Sequence, residues 1–224
     1  TRTSSAGSPA ASLRANPSSR CAPAPPRHPA GRHIAHRRRS HASRYPRCAV
    51  PPGGRHRRDT VTELVTTTAL LCWQPVSAGP GVVVLSNAGG TGVLAADAWA
   101  MQYLDLLEPS ERTRARLREL LPPHASVHNP IDTTAGIDPA TFGACLEAVL
   151  DDDTVQAVLA LAAPTAVSNP ATAITEAVTR ARSKGITTPV LAVQLSQPEA
   201  IRGLQTDSPR PVPTYSDPAV AVRR

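Results

Sequence analysis

The chain of 224 residues carries a formal net charge of +7, and 41% of its residues are hydrophobic. It contains no apolar run near the ~20 residues that a transmembrane helix needs, and no apolar segment of a secretion signal follows the basic N-terminus. Its four cysteines lack the CxxC spacing of zinc sites, so we expect a cytoplasmic protein without a membrane partner, a disulfide framework or a metal site.

Residues 1–58 differ in composition from the rest of the chain. They contain thirteen Arg, nine Pro and no Asp or Glu, whereas residues 59–224 contain all seventeen acidic residues. Leu13, Ile34 and Val50 are their only aliphatic residues larger than Ala, so this segment cannot bury enough apolar surface to offset the entropy of ordering its backbone. We predict a disordered basic segment with three open origins: translation in a wrong frame or from a misassigned start, an inert tail, or a nucleic-acid-binding arm.

The first predicted helix lies in residues 59–80, which we interpret as a linker helix ahead of the folded domain. Thr60 and Glu63 have the spacing of a capping box at the start of this helix. A run of Val and Leu at residues 82–86 then predicts a buried strand of a parallel sheet.

A glycine-rich turn, Asn87-Ala88-Gly89-Gly90-Thr91-Gly92, separates this strand from a helix predicted over residues 91–107. Such a turn leaves free backbone N–H groups at the N-terminus of the helix, where the helix dipole adds partial positive charge. Small residues there let an oxyanion approach the backbone closely. We predict that Asn87, Gly89, Gly90, Thr91 and Gly92 bind a phosphate group; the alternative is a tight strand-to-helix connection whose glycines serve packing alone.

Helices and strands continue to alternate through residues 81–215, which we interpret as one domain. The predicted elements are a helix at 109–121, an irregular segment at 124–134, a helix at 138–150, a strand at 155–162, a helix at 168–184, a strand at 189–194, a short helix at 198–204 and an edge strand at 212–214. This alternation predicts an α/β fold with a flavodoxin-like parallel sheet and helices on both faces. Residues 216–224 have the pattern of a truncated start of the next helix.

Two polar residues of the irregular segment, Asn129 and Asp132, are predicted to support the loop beside the glycine turn. The carboxyl ends of parallel strands meet at one edge of a sheet, so Asp132 is expected to brace this loop rather than to act in catalysis. No catalytic residue is predicted in the chain. We expect His124 and His128 to be surface residues, and the acidic run at 151–153 to be a solvated helix end rather than a metal site.

Gly90-Thr91-Gly92-Val93-Leu94-Ala95 also fits the G-x-G-x-x-A fingerprint of dinucleotide-binding domains. That fingerprint requires an acidic residue at the end of the next strand, about twenty residues further on. The acidic residues near that distance lie in helical or turn sequence with no strand before them, which disfavours binding of NAD.

Four segments must be considered together: Asp59-Thr60-Val61-Thr62-Glu63-Leu64, residues 87–97, residues 120–127 with Asn129-Pro130-Ile131-Asp132, and Val212-Pro213-Thr214-Tyr215. In this order they resemble the ADP-forming acyl-CoA synthetases, relatives of succinyl-CoA ligase. The resemblance covers residues 59–222 and corresponds to the second flavodoxin-like module of that family, its CoA-ligase domain.

The resemblance implies a reaction in which acyl-CoA, phosphate and ADP are exchanged for free acid, CoA and ATP through an acyl phosphate and a phosphohistidine. In the family, the phosphohistidine lies between the N-termini of two helices, one from each flavodoxin-like module. The helix after the glycine turn corresponds to one of these. CoA, ATP or ADP, and Mg are implied for the complete enzyme and none of them for this fragment. The implied partners are the CoA-binding and phosphohistidine module and the ATP-grasp domain, in the same chain or in another.

The sequence also departs from the family. A Ser-His-Thr-Gly type loop that carries the phosphohistidine is expected before Asp59, where this chain has its Arg-rich segment, and an ATP-grasp domain is expected after Arg224. We therefore expect this fragment to be inactive alone. Two alternatives stay open: a non-catalytic phosphate- or nucleotide-binding flavodoxin-like module, and a protein that binds nucleic acid through the Arg-rich segment, which we disfavour.

We predict that residues 1–58 are dispensable for folding of the rest of the chain. A protein that begins at Asp59 should melt within a few degrees of the full chain, because the removed segment contains almost no large apolar side chain. Thermal melts followed by circular dichroism compare the two proteins. A truncated chain that is unfolded at room temperature would contradict the prediction.

Overall fold

The computed structural model describes residues 60–102, 106–165, 169–195 and 197–223. The basic segment predicted to be disordered, residues 1–58, lies outside the described residues. Among the described helices, none combines the length and the apolar character that a bilayer span requires.

Six helices and six strands follow one another in the described part of the chain. They are α1 (Val61–Trp73), β1 (Val82–Ser86), α2 (Gly89–Ala100), α3 (Glu111–Leu120), β2 (Ile131–Asp132), α4 (Pro139–Leu150), β3 (Ala157–Leu161), α5 (Ala171–Ser183), β4 (Val190–Val193), β5 (Ile201–Leu204), β6 (Val212–Tyr215) and α6 (Pro218–Val222).

All six strands belong to one sheet, in the order β2-β1-β3-β4-β6-β5. Every neighbouring pair is parallel except β5 and β6, which are antiparallel. The central strands β1 and β3 are buried along their whole length, as expected of strands covered on both faces. The predicted α/β fold, a mainly parallel sheet with helices on both faces, is confirmed.

The two faces of the sheet bury different sets of side chains because successive residues of a strand point to opposite sides. Val83 and Leu85 of β1 belong to the larger core, which includes Leu117, Phe142 and Ile174 from α3, α4 and α5. The smaller core on the other face includes residues of α2 and α6. Full burial of a large aliphatic or aromatic side chain stabilises the fold by about 1.5–3 kcal/mol.

Local signals set several helix ends as predicted. Thr60 caps α1 by accepting a hydrogen bond from the Glu63 N–H at 3.1 Å, and Asp138 caps α4 by accepting one from Thr141. Gly185 follows α5 with a φ of +83°, the left-handed conformation that favours glycine after a helix. Asp217 caps α6 by accepting a hydrogen bond from the Ala219 N–H.

Helix α1 is attached to the sheet through the side chain of Gln74, the residue that follows it. The buried Gln74 amide donates to the Pro211 carbonyl at 2.9 Å and accepts from the Val190 N–H at 3.1 Å. These bonds join the end of α1 to the beginning of β4 and to the segment before β6. The division into a linker helix at 59–80 and a domain at 81–215 stays a prediction.

Two predictions near the end of the sheet are wrong. Residues 198–204 were predicted as a short helix, but Ile201–Leu204 form the strand β5, which pairs with β6. The proline-containing strand at 212–214 was predicted at an edge, but β6 lies between β4 and β5. Both errors have one cause. Residues 201–204 form a strand through pairing with β6, which their own sequence does not indicate, and this added strand moves β6 away from the edge of the sheet.

The acidic run after α4 is not simply a solvated helix end, because Asp152 is only 7% exposed. Its carboxylate accepts hydrogen bonds from the Ser110 N–H at 2.8 Å and the Thr154 N–H at 3.0 Å, and so joins the start of α3 to the turn before β3. Burial raises the pKa of Asp152, but hydrogen bonds from Thr154, Thr113 and Ser110 outweigh it, so the pKa lies well below its usual value.

We predict that the hydrogen bonds of Asp152 stabilise the fold at neutral pH and that this contribution is lost in acid. A carboxyl whose pKa is lower in the folded than in the unfolded state stabilises the fold above the unfolded value, and the stability falls as the pH drops below about 4. Asp152→Asn should lower the free energy of unfolding by about 1–3 kcal/mol at neutral pH, because its amide would face the Ser110 N–H with a donor.

Urea unfolding across the acid range measures this effect, with Asp153→Asn as the matched control because the Asp153 side chain is exposed. The control should resemble the wild type. A deficit of Asp152→Asn that persists unchanged in acid would count against the assignment.

Candidate functional site

Helix α2 begins almost immediately after β1, at the carboxyl edge of the sheet. Only Asn87 and Ala88 separate the strand from the helix, and the first helical bonds run from the Thr91 and Gly92 N–H groups to the Ala88 carbonyl at 3.0 and 3.2 Å. The predicted glycine loop is therefore the first turn of a helix that starts at Gly89 rather than at Thr91. The helix also ends earlier than predicted, at Ala100.

Two hydroxyl groups stabilise this connection from inside. The side chains of Ser86 and Thr91 lie 2.8 Å apart, and each contacts the Ala88 carbonyl oxygen, at 2.8 and 2.7 Å. The Thr91 hydroxyl is thus engaged with its own turn. Ser86 was not among the predicted site residues. Its position, as a polar residue at the end of an apolar strand just before the glycines, could have indicated that it stabilises the turn.

Asn87 connects the carboxyl ends of two neighbouring strands. Its fully buried side chain donates to the Ala163 carbonyl at 2.7 Å and accepts from the Ala163 N–H at 2.8 Å. Ala163 follows β3, so these bonds hold the ends of β1 and β3 together. The side chains of Asn87 and Thr91, both predicted phosphate ligands, are therefore committed to positioning the turn.

The free donors of the turn are backbone groups. Within the described residues, the N–H groups of Gly89 and Gly90 have no hydrogen-bond acceptor. Gly90 is exposed, and a Cβ added to it would meet no atom within 4 Å. These N–H groups are the first two donors of a helix of 12 residues, where the helix dipole contributes partial positive charge. The arrangement suits an oxyanion.

Gly92, the third glycine of the turn, is packed against other residues, unlike the exposed Gly90. It is buried, and a Cβ added to it would lie 3.4 Å from Pro130 and 3.6 Å from Ser86. These are ordinary van der Waals distances, so α2 packs directly against Pro130 and Ser86 at this point. Gly92 is therefore a packed position of the first turn, whereas Gly90 is exposed.

Asp132, at the end of β2, lies directly beside the start of α2. A Cβ added to Gly89 would lie 2.5 Å from its Oδ2 atom. Its other oxygen, Oδ1, accepts a hydrogen bond from the Thr134 N–H at 2.9 Å. Thr134 has a φ of +74°, a left-handed conformation that is uncommon for a β-branched residue. The fold thus brings Asp132 and Gly89 together, as the sequence predicted.

Asn129 lies beside the first residues of β1, away from the glycine turn at the other end of the strand. Its side chain accepts from the Val84 N–H at 2.9 Å and donates to the carbonyls of Val82 and Leu107 at 2.8 and 2.7 Å. These bonds occupy the part of the β1 edge that the two-residue strand β2 leaves unpaired. Asn129 contacts β1 and the segment before α3, and any support of the glycine turn is indirect.

Other reactive side chains do not gather at this edge. The described residues contain no group of three or more His, Cys, Asp or Glu side chains arranged for a metal ion. His128 is exposed and lies 3.1 Å from the Glu108 carboxylate. Burial raises the pKa of the Cys145 thiol to about 12, with a smaller contribution from Asp138, so this cysteine is an inert core residue.

Comparison with known proteins agrees with this geometry. The family model described as Ligase-CoA domain matches residues 82–209. The chain belongs to the Ligase-CoA domain family. The match begins at the first residue of β1 and includes α2 and Asp132.

The relatives of this chain include ADP-forming acetate–CoA ligases. The alpha subunit of the ADP-forming acetate–CoA ligase II of Pyrococcus furiosus is 30% identical over 162 residues, which are 71% of this chain and 35% of that protein. The ADP-forming acetate–CoA ligase I of Archaeoglobus fulgidus is 34% identical over 98 residues, 44% of this chain and 14% of its own length.

Solved structures give the same result. The chain superimposes on acetyl-coenzyme A synthetase 1 of Ca. Korarchaeum cryptofilum, described as dinucleotide forming, with a TM-score of 0.63, 26% identity, and coverage of 74% of this chain and 36% of that one. The complex of that protein with phosphate and ADP matches equally well, at 27% identity. The resemblance to ADP-forming acyl-CoA synthetases is confirmed. The chain spans about a third of the length of the Pyrococcus furiosus alpha subunit and of the Korarchaeum synthetase.

We predict opposite effects of an added methyl group at two adjacent glycines. Gly90→Ala should raise the free energy of unfolding by about 0.5–1 kcal/mol, because alanine favours the helix and meets no neighbour. Gly89→Ala should be less stable than Gly90→Ala by about 1–3 kcal/mol, because its Cβ would collide with the Asp132 carboxylate.

Urea unfolding of both variants measures the difference. Adding Asp132→Ala to Gly89→Ala removes the colliding oxygen, so the two substitutions should cost less together than the sum of their separate costs. Additive costs would show that Asp132 does not lie against Gly89.

Proposed function

We propose that this chain supplies one of the two helix N-termini that hold the phosphoryl group of a phosphohistidine in an ADP-forming acyl-CoA synthetase. The reaction exchanges acyl-CoA, phosphate and ADP for free acid, CoA and ATP. The observation that carries the proposal is the pair of unbonded N–H groups of Gly89 and Gly90 at the start of α2. Membership of the Ligase-CoA domain family supports the reaction class.

The role of the chain in this proposal is electrostatic. The N–H groups are fixed by the helix, by the Asn87 amide and by the Ser86–Thr91 contact, so they need no reorganisation when negative charge develops on the phosphoryl oxygens. A single helix N-terminus contributes about 0.3–2 kcal/mol to the binding of an anion. The chain alone should therefore bind phosphate weakly, and the second helix would come from the partner module.

The remaining chemistry is assigned to partners. The phosphohistidine itself would be supplied by the CoA-binding module. CoA, ATP or ADP, and Mg would bind to that module and to the ATP-grasp domain. These assignments come from the family resemblance, and in them this chain acts only as part of a larger assembly.

We predict that inorganic phosphate binds at the start of α2. In a titration of the full chain followed by NMR, the amide signals of Gly89 and Gly90 should shift with a weak, saturable response. Gly90→Val should abolish the response, because its branched side chain would fill the open space in front of these N–H groups. The same variant should remain folded, since a Cβ at Gly90 meets no atom within 4 Å.

Ala140→Val is the matched control. Ala140 is the exposed second residue of α4, as Gly90 is of α2, but the carboxylate of Asp138 already caps α4. The control should bind phosphate as the wild type does. If phosphate shifts amides of the Arg-rich segment and leaves Gly89 and Gly90 unchanged, the site is wrong. Anion or nucleic-acid binding by that segment would then be the better interpretation.

A further inference from the structure

The outward face of α1 carries no charge. Six exposed and uncharged residues form one stripe at helical spacing, which we call the α1 stripe: Val61, Leu64, Val65, Thr68, Leu71 and Cys72. Its four aliphatic side chains are between 55% and 78% exposed. Helix α3 differs, because its exposed side bears ion pairs such as Arg118 with Glu111. The outward face of a surface helix is normally polar or charged, so the α1 stripe has the composition of a buried surface.

The segment that precedes α1 in the chain does not match this surface. Residues 1–58 contain thirteen Arg, no acidic residue and only three aliphatic residues larger than Ala. A cationic segment would lose hydration against an uncharged apolar surface and find no partner for its charges there. We therefore exclude this segment as the cover of the α1 stripe.

An apolar cavity of about 330 Å³ opens beside the C-terminal end of the stripe. Leu71 belongs to both, and Val76, which also lines the cavity, is 78% exposed, so the cavity is open to solvent on this side. Val82 and Ala157, the first residues of β1 and β3, line it further in, at the amino edge of the sheet. None of the described residues that line it is charged. Since a cavity of about 150 Å³ already accepts benzene, this one has room for two aliphatic side chains.

The two ends of α1 complement each other. Val61 and Val65 are exposed at the N-terminal end, and the cavity opens at the C-terminal end. A two-fold axis through Thr68, in the middle of the stripe, reverses the direction of the helix in a second copy. The valines of that copy then lie opposite the cavity, beside Pro75 and Leu71. Apolar groups meet apolar groups at both ends, and no like charges meet because the stripe carries none.

We propose that the α1 stripe is the interface of a homodimer, in which the α1 helices of two copies pack antiparallel about Thr68. Val61 and Val65 of each copy enter the cavity of the other. The symmetry uses the whole stripe in one closed contact, so association stops at the dimer. This interface is independent of the proposed function, because the cavity lies at the amino edge of the sheet and α2 begins at the carboxyl edge.

Sedimentation velocity of the full chain measures its mass in solution. A salt concentration of about 0.15 M limits repulsion between the Arg-rich segments to distances of about 8 Å. The wild type should form dimers with a dissociation constant in the micromolar range, as expected of a small interface. A chain that is still monomeric at about 0.1 mM would overturn the homodimer. The stripe would then be a docking surface for a different protein.

Leu64→Glu tests whether the dimer uses the stripe. It should weaken dimerisation at least about a hundredfold, because every dimer would bury two unpaired carboxylates. The variant should fold, since Leu64 is 57% exposed. Leu94→Glu is the matched control, because Leu94 lies on α2 and is 59% exposed. The control should dimerise as the wild type does. A dimer that survives Leu64→Glu, or an equal loss in both variants, would overturn the interface.

A cross-link tests the position of the two-fold axis. With Cys21, Cys48 and Cys72 replaced by Ser, Thr68→Cys should be joined to its counterpart by a short bismaleimide, because residues on the axis face their own copies. Arg118→Cys, on the exposed side of α3, should not cross-link. If the wild type dimerises but Thr68→Cys is not cross-linked more than Arg118→Cys, the antiparallel packing is wrong and the proposed interface fails.

Discussion

The two hydrogen bonds between the Asn87 side chain and Ala163 fix the geometry on which the candidate site depends. They hold the carboxyl ends of β1 and β3 side by side, and α2 begins after only two residues that follow β1. An amide left buried without partners costs about 1–3 kcal/mol, so this turn has few alternative arrangements. The Ser86 and Thr91 hydroxyls act on the same segment, so that every polar side chain of the turn faces inward and the outward donors belong to the backbone.

The site also depends on how close α2 lies to its neighbours. Gly92 allows the helix to pack against Pro130 and Ser86, and Gly89 leaves room for the Asp132 carboxylate. A Cβ added to Gly92 would lie at ordinary van der Waals distance from both residues, so the first turn of the helix is packed directly against them. The positions of the free N–H groups and of the Asp132 carboxylate are therefore consequences of packing inside the domain, not of contacts with a ligand.

Features encoded locally could be predicted from the sequence, and those created by distant pairing could not. The run from Val82 to Leu85 predicted a buried strand, and the helices predicted to begin at 138 and to end at 184 do so within one residue, because each signal acts within a few residues. The strand β5 was missed because its partner is β6. At the site, the nearness of Gly89 and Asp132 followed from parallel topology. The inward orientation of Asn87 could not be predicted, because its partner, Ala163, is 76 residues away.

A site made of backbone N–H groups, as proposed at Gly89 and Gly90, tolerates most substitutions at the residues that form it. No substitution can remove the donors of Gly89 and Gly90 except one to proline, which lacks the N–H group. The site can instead be lost when a side chain fills the space in front of it. Related chains can therefore diverge widely around this turn and retain the same donors, provided that the residues there stay small. Side-chain chemistry alone would not reveal such a site to a sequence search.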